Sequence, residues 1–301
     1  MNEEDKARIG ATLAREGEAT GEAAGDPPLA AVIGLGRFGT FWAGMMAEHY
    51  RVVGTSRRPV APLPPGVRQV PLEEALAAPV IFLTVAISAM PGVLRSIAPL
   101  LKPGTVVVDT CSVKVYPVRQ MEALLPDSVD IIASHPMFGP DSARERQDPL
   151  PVILWPVRDR QGRYGELRSV FEGLGLRVVE MSPEEHDQEA AFTQGVTHLV
   201  GRVLRAMDLQ PSDISTLGYR RLLQVMEQTC NDPLELFRDL QRFNPSTRAM
   251  REAFSRAFGQ VEELLAPDAR PPQGQDQGHN GTSEQERPGR DGGELPRQGS
   301  S

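Results

Sequence analysis

The sequence has few cysteines, no excess of basic side chains and no long apolar run, and each shortage excludes a class of protein. Its two cysteines, Cys111 and Cys230, form no C-x-x-C pair, and its 5 histidines are scattered, so we expect neither disulfides nor a metal site. A formal net charge of −8 argues against a nucleic-acid groove, although a local basic pocket could still hold a small anion. Apolar runs are too short for a membrane span, and the charged N-terminus lacks the apolar core of a secretory signal. We therefore expect a cytoplasmic protein that binds neither nucleic acid nor membrane.

Composition separates a globular middle from two polar ends. The chain is 40% hydrophobic, which is enough to bury a core. Residues 1–28 are acidic and rich in Gly and Ala, and residues 267–301 contain almost no apolar side chain. Neither end can offset the entropy of ordering, so we expect a disordered leader and a disordered tail.

Up to residue 181, short apolar runs alternate with segments of helical spacing, such as residues 40–49 and 88–100. Most of the runs are rich in β-branched residues, as strands buried on both faces of a parallel sheet should be. This alternation predicts an α/β fold, a Rossmann doubly wound parallel sheet over residues 29–181. The predicted strands are residues 30–33, 52–54, 80–85, 105–109, 130–133, 152–154 and 177–180.

The pattern changes at Ser182. This residue is a candidate N-cap, followed by Pro183 at the first helical position and by Glu185, which completes a capping box. Only helical spacing follows, over residues 183–207, 217–229, 233–242 and 245–265. We predict an all-helical domain over residues 182–266 that binds the substrate. Because this domain is small, we expect it to bury apolar faces against a second copy, as a homodimer.

The first predicted strand runs into a G-x-G-x-x-G motif that opens a helix. The first Gly permits a tight turn, the second lets the backbone approach a pyrophosphate, and the third lets the helix pack on the strand. The helix N-terminus then offers N–H groups to the phosphates. The context of strand, motif, helix and second strand predicts dinucleotide binding. The expected contacts are Gly34, Leu35, Gly36, Arg37, Phe38 and Gly39, with Thr84 and Val85 at the end of a later strand.

The end of the second strand indicates which dinucleotide is bound. An NAD enzyme carries Asp or Glu there for the ribose 2′-hydroxyl, whereas this sequence has Ser56, Arg57 and Arg58. A hydroxyl followed by two guanidinium groups suits a 2′-phosphate, which favours NADP. The alternative is a solvated basic turn without a ligand.

Two later strand ends carry recognisable motifs. Residues 108–114 read V-D-T-C-S-V-K, and residues 134–140 read S-H-P-M-F-G-P. With the segment T-Q-G-V-T-H-L-V-G-R at residues 193–202, they resemble the prephenate/arogenate dehydrogenase family over about residues 29–265. Residues 218–223 and 231–233 are similar above all to the plant and cyanobacterial arogenate enzymes.

The resemblance implies oxidative decarboxylation of a cyclohexadienol, with hydride leaving for the nicotinamide while a base takes the hydroxyl proton. Arogenate would give tyrosine, and prephenate would give 4-hydroxyphenylpyruvate. By resemblance His135 is the base, which suits a side chain that titrates near neutral pH. Ser112 would hydrogen-bond the same hydroxyl or orient the imidazole, and capping a helix is its alternative role.

The helical segment offers candidate substrate contacts. Gln194 and His198 are four residues apart and share one helix face with Arg202, which predicts either a pocket lining or a buried interhelical network. Ser142 follows the H-P-M-F-G-P loop and could also reach the substrate. Lys114 could offset a substrate carboxylate, or it could be an ordinary exposed lysine.

One position departs from the prephenate-specific relatives. They carry an arginine for the ring carboxylate where this sequence has Glu227, which leaves the mode of carboxylate binding open. Asp232 would attract the ammonium of arogenate and repel the keto acid of prephenate, so we expect arogenate as substrate.

Two alternatives define the competing hypotheses. A β-hydroxyacid dehydrogenase needs a catalytic lysine in its helical domain, and residues 182–266 contain none. A non-catalytic NADP-binding sensor would have no need for Ser112 and His135 at adjacent strand ends.

Overall fold

The computed structural model describes residues 26–143 and 148–266. Apart from residues 26–28, the predicted leader and tail lie outside the described residues.

An eight-stranded sheet forms the centre of the structure, in the order β3-β2-β1-β4-β5-β6-β7-β8. Every neighbouring pair is parallel except β6 and β7. The order reverses beside β1, between β2 and β4, which is where a doubly wound sheet opens a crevice for ligands. The strands are β1 (Leu29–Ile33), β2 (Arg51–Thr55), β3 (Val67–Gln69), β4 (Val80–Leu83), β5 (Val106–Asp109), β6 (Asp130–Pro136), β7 (Pro151–Arg158) and β8 (Arg177–Glu180).

The observed sheet differs from the predicted one in two respects. The short edge strand β3 was not predicted, because among its three residues only Val67 is apolar and no periodicity shows. The sheet is parallel as predicted except for β6 and β7, which pair antiparallel. No helix separates these two strands in the described residues, whereas a parallel connection needs a crossover.

Helices cover both faces of the sheet, because the strand side chains alternate between two apolar cores. Ala31 and Ile33 belong to one core, and Ala30 and Val32 belong to the other. The helices that follow the strands are α1 (Arg37–Met46), α2 (Leu72–Ala75), α3 (Met90–Ile97), α4 (Val115–Leu124) and α5 (Tyr164–Gly173). The doubly wound arrangement is therefore confirmed.

After β8, the described chain is helical. The predicted capping box is present: Ser182 Oγ accepts from the Glu185 N–H, and the Glu185 carboxylate accepts from the Ser182 N–H. The helices are α6 (Pro183–Ala190), a π-helical turn (Ala191–Gly195), α7 (Val196–Ala206), α8 (Leu217–Asn231), α9 (Leu234–Phe243) and α10 (Thr247–Leu264). The domain boundary at residue 182 stays a prediction.

The helix α10 spans the division between two compact units, the first ending at Phe254 and the second beginning at Ser255. The elements from β1 to α9 lie in the first unit. None of the described helices is both long and apolar enough to cross a membrane.

Candidate active site

The glycine loop between β1 and α1 is closely packed on one side and open on the other. Gly34 has φ of 110°, and a Cβ on Gly39 would lie 1.9 Å from the Gly34 carbonyl oxygen. Thr84 Oγ1 braces the loop by donating to the Gly34 carbonyl oxygen at 2.8 Å. A Cβ on Gly36 would meet nothing within 4 Å, and no side chain caps α1. The open backbone and the uncapped helix N-terminus fit a pyrophosphate group.

Several side chains predicted to bind the cofactor have other roles. Leu35 is buried against Gly54, and the Phe38 ring stacks on Trp42 with 5.8 Å between centroids. The buried Leu35 can therefore offer only backbone groups to a cofactor. Val85 is half-buried beside Gly34, in contact range of the loop.

The basic pair that indicated NADP lies at the end of β2. Ser56 is half-buried, and Arg57 and Arg58 are exposed. Within residues 26–143 and 148–266, neither guanidinium forms an ion pair. Both remain available to an anion.

A buried ion pair joins the ends of β5 and β6. Asp109 and Lys114 are both fully buried, and the ammonium contacts the carboxylate and the Ser134 carbonyl oxygen. The Asp109 carboxylate also accepts from the Cys111 N–H at 3.0 Å and from the Ser134 N–H at 3.2 Å. The alternative of an exposed Lys114 is wrong. Asp109, to which the sequence had assigned no role, neutralises the Lys114 ammonium.

Ser112 lies just beyond this pair. It is 8% exposed, and its Oγ is buried with no hydrogen-bond partner among the described residues. The helix α4 begins at Val115, and its N-cap position is Lys114, with no side-chain cap. The helix-capping alternative for Ser112 is therefore wrong, and its hydroxyl is available to a ligand.

His135 is part of a chain of three side chains that the sequence did not reveal. Its Nδ1 lies 2.8 Å from His186 Nε2, and His186 Nδ1 lies 2.9 Å from Asp187 Oδ1. All three residues are at most 3% exposed. His186 and Asp187 come from the first turns of α6, so the helical segment completes the site at the end of β6.

Burial holds the pKa of His135 well below its usual value, because the charged imidazolium is poorly solvated there. The neighbouring His186 and the Lys114 ammonium lower this pKa further, and His198 adds a smaller effect. His135 is therefore neutral near pH 7, as a general base must be.

The predicted polar stripe on α7 and the preceding π-helical turn is partly confirmed as interhelical. Arg202 Nη2 donates to the Asp232 carbonyl oxygen at 2.8 Å and to the Thr229 carbonyl oxygen at 3.3 Å. In contrast, Gln194 Oε1 and His198 Nδ1 are buried with no partner in the described part of the chain. Burial, with Arg202 as the second cause, lowers the pKa of His198 to about 4, so this side chain is a neutral hydrogen-bonding group.

Ser142 and Asp232 are engaged within the protein. Ser142 Oγ accepts from the Gly139 N–H at 2.9 Å, which stabilises the loop after β6. Asp232 Oδ1 lies 3.7 Å from Arg37 Nη1, and Arg37 also pairs with Asp141. Asp232 therefore faces the cofactor loop, and Arg37 compensates part of its charge. Burial raises the pKa of Asp232, and Arg37 opposes that change.

Among the described residues, no group of three or more His, Cys, Asp or Glu side chains is arranged to hold a metal ion.

The sheet and the glycine loop define the class of fold, a Rossmann-type doubly wound sheet followed by helices. Residues 66–180 match the family model described as prephenate dehydrogenase, nucleotide-binding domain, and residues 203–277 match TYRAAT1-like, C-terminal domain. Over residues 66–180 the chain is therefore similar to the prephenate dehydrogenase family.

Curated relatives are similar to part of the chain. Arogenate dehydrogenase 2, chloroplastic, of Arabidopsis thaliana is 38% identical over 192 residues, which cover 62% of this chain and 54% of the relative. Arogenate dehydrogenase 1, chloroplastic, of the same plant is 37% identical over 170 residues, which cover 55% of this chain and 27% of the relative. The chain thus spans about half or less of the length of these two relatives.

Solved structures share the fold. Prephenate dehydrogenase from A. aeolicus, in complex with hydroxyphenyl propionate and NAD+, has a TM-score of 0.62 at 16% identity and covers 80% of this chain and 92% of its own. Arogenate dehydrogenase from Synechocystis has a TM-score of 0.59 at 21% identity, over 79% of this chain and 91% of its own.

Proposed function

We propose that this protein catalyses the NADP-dependent oxidative decarboxylation of arogenate to tyrosine. The observation that carries the proposal is a set of buried polar atoms that have no hydrogen-bond partner among the described residues. Three of these atoms belong to residues that the sequence assigned to the substrate or the chemistry: Ser112 Oγ, Gln194 Oε1 and His198 Nδ1. A buried polar group without a partner costs free energy, so three of them in one predicted site support binding of a polar ligand.

In the proposed reaction, the substrate loses a hydride from its carbinol carbon and a proton from its hydroxyl. A bound nicotinamide supplies the hydride acceptor. His135 takes the hydroxyl proton, for which its lowered pKa keeps it in the neutral form. Ser112 donates a hydrogen bond to the same oxygen. Release of CO2 makes the ring aromatic, which drives the reaction forward.

The residues present fit NADP as the cofactor. The open backbone of Gly36 and the N-terminus of α1 suit the pyrophosphate. Ser56, Arg57 and Arg58 suit a 2′-phosphate, because both guanidinium groups are exposed and unpaired within the described residues.

The proposed preference for arogenate rests on charge and on the named relatives. Glu227 is exposed at the position where the prephenate-specific pattern has an arginine. Asp232 retains a negative charge near Arg37 that would repel the keto acid of prephenate and attract an ammonium. The two Arabidopsis relatives are named arogenate dehydrogenases. Prephenate dehydrogenase activity is the alternative within the family, and a non-catalytic NADP-binding sensor is the alternative outside it.

We also propose a homodimer through the helical segment. Several large apolar side chains there are exposed in the single chain, and a second copy would cover them. They are Phe192, Val203, Met207, Ile214, Leu217 and Leu222. The names of the Arabidopsis relatives include the word chloroplastic, and the cytoplasmic location of this chain stays a prediction.

The test follows NADPH or NADH formation with arogenate or prephenate, for the unaltered protein and for R57A/R58A. We expect turnover of arogenate with NADP and little with NAD. Loss of two charge-assisted contacts to the 2′-phosphate should lower kcat/KM for NADP by about 10- to 100-fold and leave that for NAD unchanged.

The control is R95A, which removes an exposed arginine of α3 and should alter neither value. An unchanged cofactor preference in R57A/R58A would refute the 2′-phosphate site. A preference for prephenate would replace arogenate as the substrate. Absence of turnover with both substrates would favour the sensor hypothesis.

A further inference from the structure

The direction of the hydrogen bonds from Asp187 to His135 follows from the donors available. A carboxylate can only accept a hydrogen bond. His186 Nδ1 therefore carries a proton and donates a hydrogen bond to Asp187 Oδ1. In a neutral His186, Nε2 is then unprotonated, and it accepts a hydrogen bond from the His135 Nδ1–H. In a neutral His135, Nε2 is consequently the unprotonated nitrogen.

Asp187 is held firmly enough to impose this order. Its Oδ1 accepts from the Lys114 N–H at 2.7 Å, and its Oδ2 accepts from the Val115 N–H at 3.0 Å. These N–H groups belong to the start of α4, where the helix dipole stabilises a negative charge. The backbone of Asp187 is also fixed, because Asn244 Nδ2 donates to its carbonyl oxygen at 2.8 Å.

We propose that His186, held by Asp187, is a positioning residue that fixes His135 in the tautomer whose Nε2 accepts the substrate proton. The proposal rests on the function proposed above, in which His135 takes the hydroxyl proton of the substrate. Nothing among the described residues forms a hydrogen bond with His135 Nε2, so this nitrogen remains available to substrate.

The tautomer of His135 decides whether this side chain can take the substrate proton. Burial, His186 and the Lys114 ammonium lower the pKa of His135, and Asp109 is paired with that ammonium. When His135 gains a proton, its Nδ1–H still faces His186, and the Asp187 carboxylate lies on the far side of that ring. A neutral His135 in the other tautomer would present a donor to the substrate and could not take its proton.

Two substitutions of His186 separate positioning from packing. In H186Q, the amide oxygen can accept from His135 Nδ1, whereas in H186L no acceptor remains. We expect H186L to lower kcat for arogenate about a hundredfold or more with KM little changed, because the tautomer is no longer fixed. H186Q should recover kcat to within about tenfold of the unaltered protein. The control is H49L, which removes an exposed histidine of the sheet region and should leave kcat unchanged.

Nitrogen-15 NMR of labelled histidine gives a readout that does not depend on turnover. We expect His135 to be protonated at Nδ1 and unprotonated at Nε2 in the unaltered protein and in H186Q, and a mixture of tautomers in folded H186L. Protonation at Nε2 in the unaltered protein would overturn the proposal, as would unchanged kcat in H186L. Equal loss in H186Q and H186L with an unchanged tautomer would also overturn it, since the role would then be packing. If the unaltered protein turns over no substrate, the proposed function fails, and the NMR spectrum still decides the tautomer.

Discussion

Replacing His135 with asparagine is expected to lower kcat for arogenate by about 10²- to 10⁴-fold, which is the usual contribution of a general base. Asparagine keeps a hydrogen-bonding side chain at the end of β6 but cannot take a proton. The dissociation constant of NADPH should stay unchanged, because the proposed cofactor residues lie after β1, β2 and β4. Steady-state kinetics and a fluorescence titration with NADPH measure the two quantities.

The pH dependence adds a second readout for His135. Because burial holds the pKa of His135 below its usual value of about 6.5, the neutral base persists to lower pH than for an exposed histidine. The acidic limb of kcat/KM should therefore lie below about pH 6.5 and should be absent from the residual activity of H135N. An H135N variant with unaltered kcat would contradict the assignment of His135 as base.

Replacing Asp109 with asparagine is expected to lower the free energy of unfolding by about 3–5 kcal/mol, since it leaves the fully buried Lys114 without a counter-charge. The carboxylate also ties β5 to β6 through the Ser134 N–H, so the strand end that carries His135 loses support. Urea denaturation followed by circular dichroism measures the change.

A double-mutant cycle separates the ion pair from other effects of D109N. Methionine fills much of the volume of lysine without its charge, so D109N/K114M should be more stable than D109N alone. The exposed pair of Arg248 and Glu252 is the matched control, and E252Q should change stability little because water already solvates both charges. Additive losses in the double variant would show that Asp109 and Lys114 do not stabilise each other.

Local signals in the sequence predicted much of the fold. The glycine loop, the capping box at Ser182 and the change from strands to helices each depend on a few consecutive residues. The edge strand β3 and the reversed direction of β7 were not predictable, because direction depends on how a connection crosses the sheet and side-chain periodicity does not encode it.

The candidate site was predictable only one residue at a time. His135, Ser112 and His198 could be chosen from their motifs, and the structure buries all three. The partners of those residues could not be chosen, since Asp187 meets the start of α4 across a separation of 73 residues. Lys114 shows the same limit: a lysine beside a strand end gives no local sign that a buried aspartate five residues earlier neutralises it. The one signal in the sequence for these partners was the adjacent pair His186 and Asp187, which follows the capping box of α6.

Product analysis tests the central claim most directly. The protein is incubated with arogenate and NADP, and tyrosine, CO2 and NADPH are quantified from the same reaction. Oxidative decarboxylation predicts equal amounts of the three products. H135N should form all three much more slowly than the unaltered protein. NADPH without tyrosine, or tyrosine without NADPH, would contradict the proposed reaction.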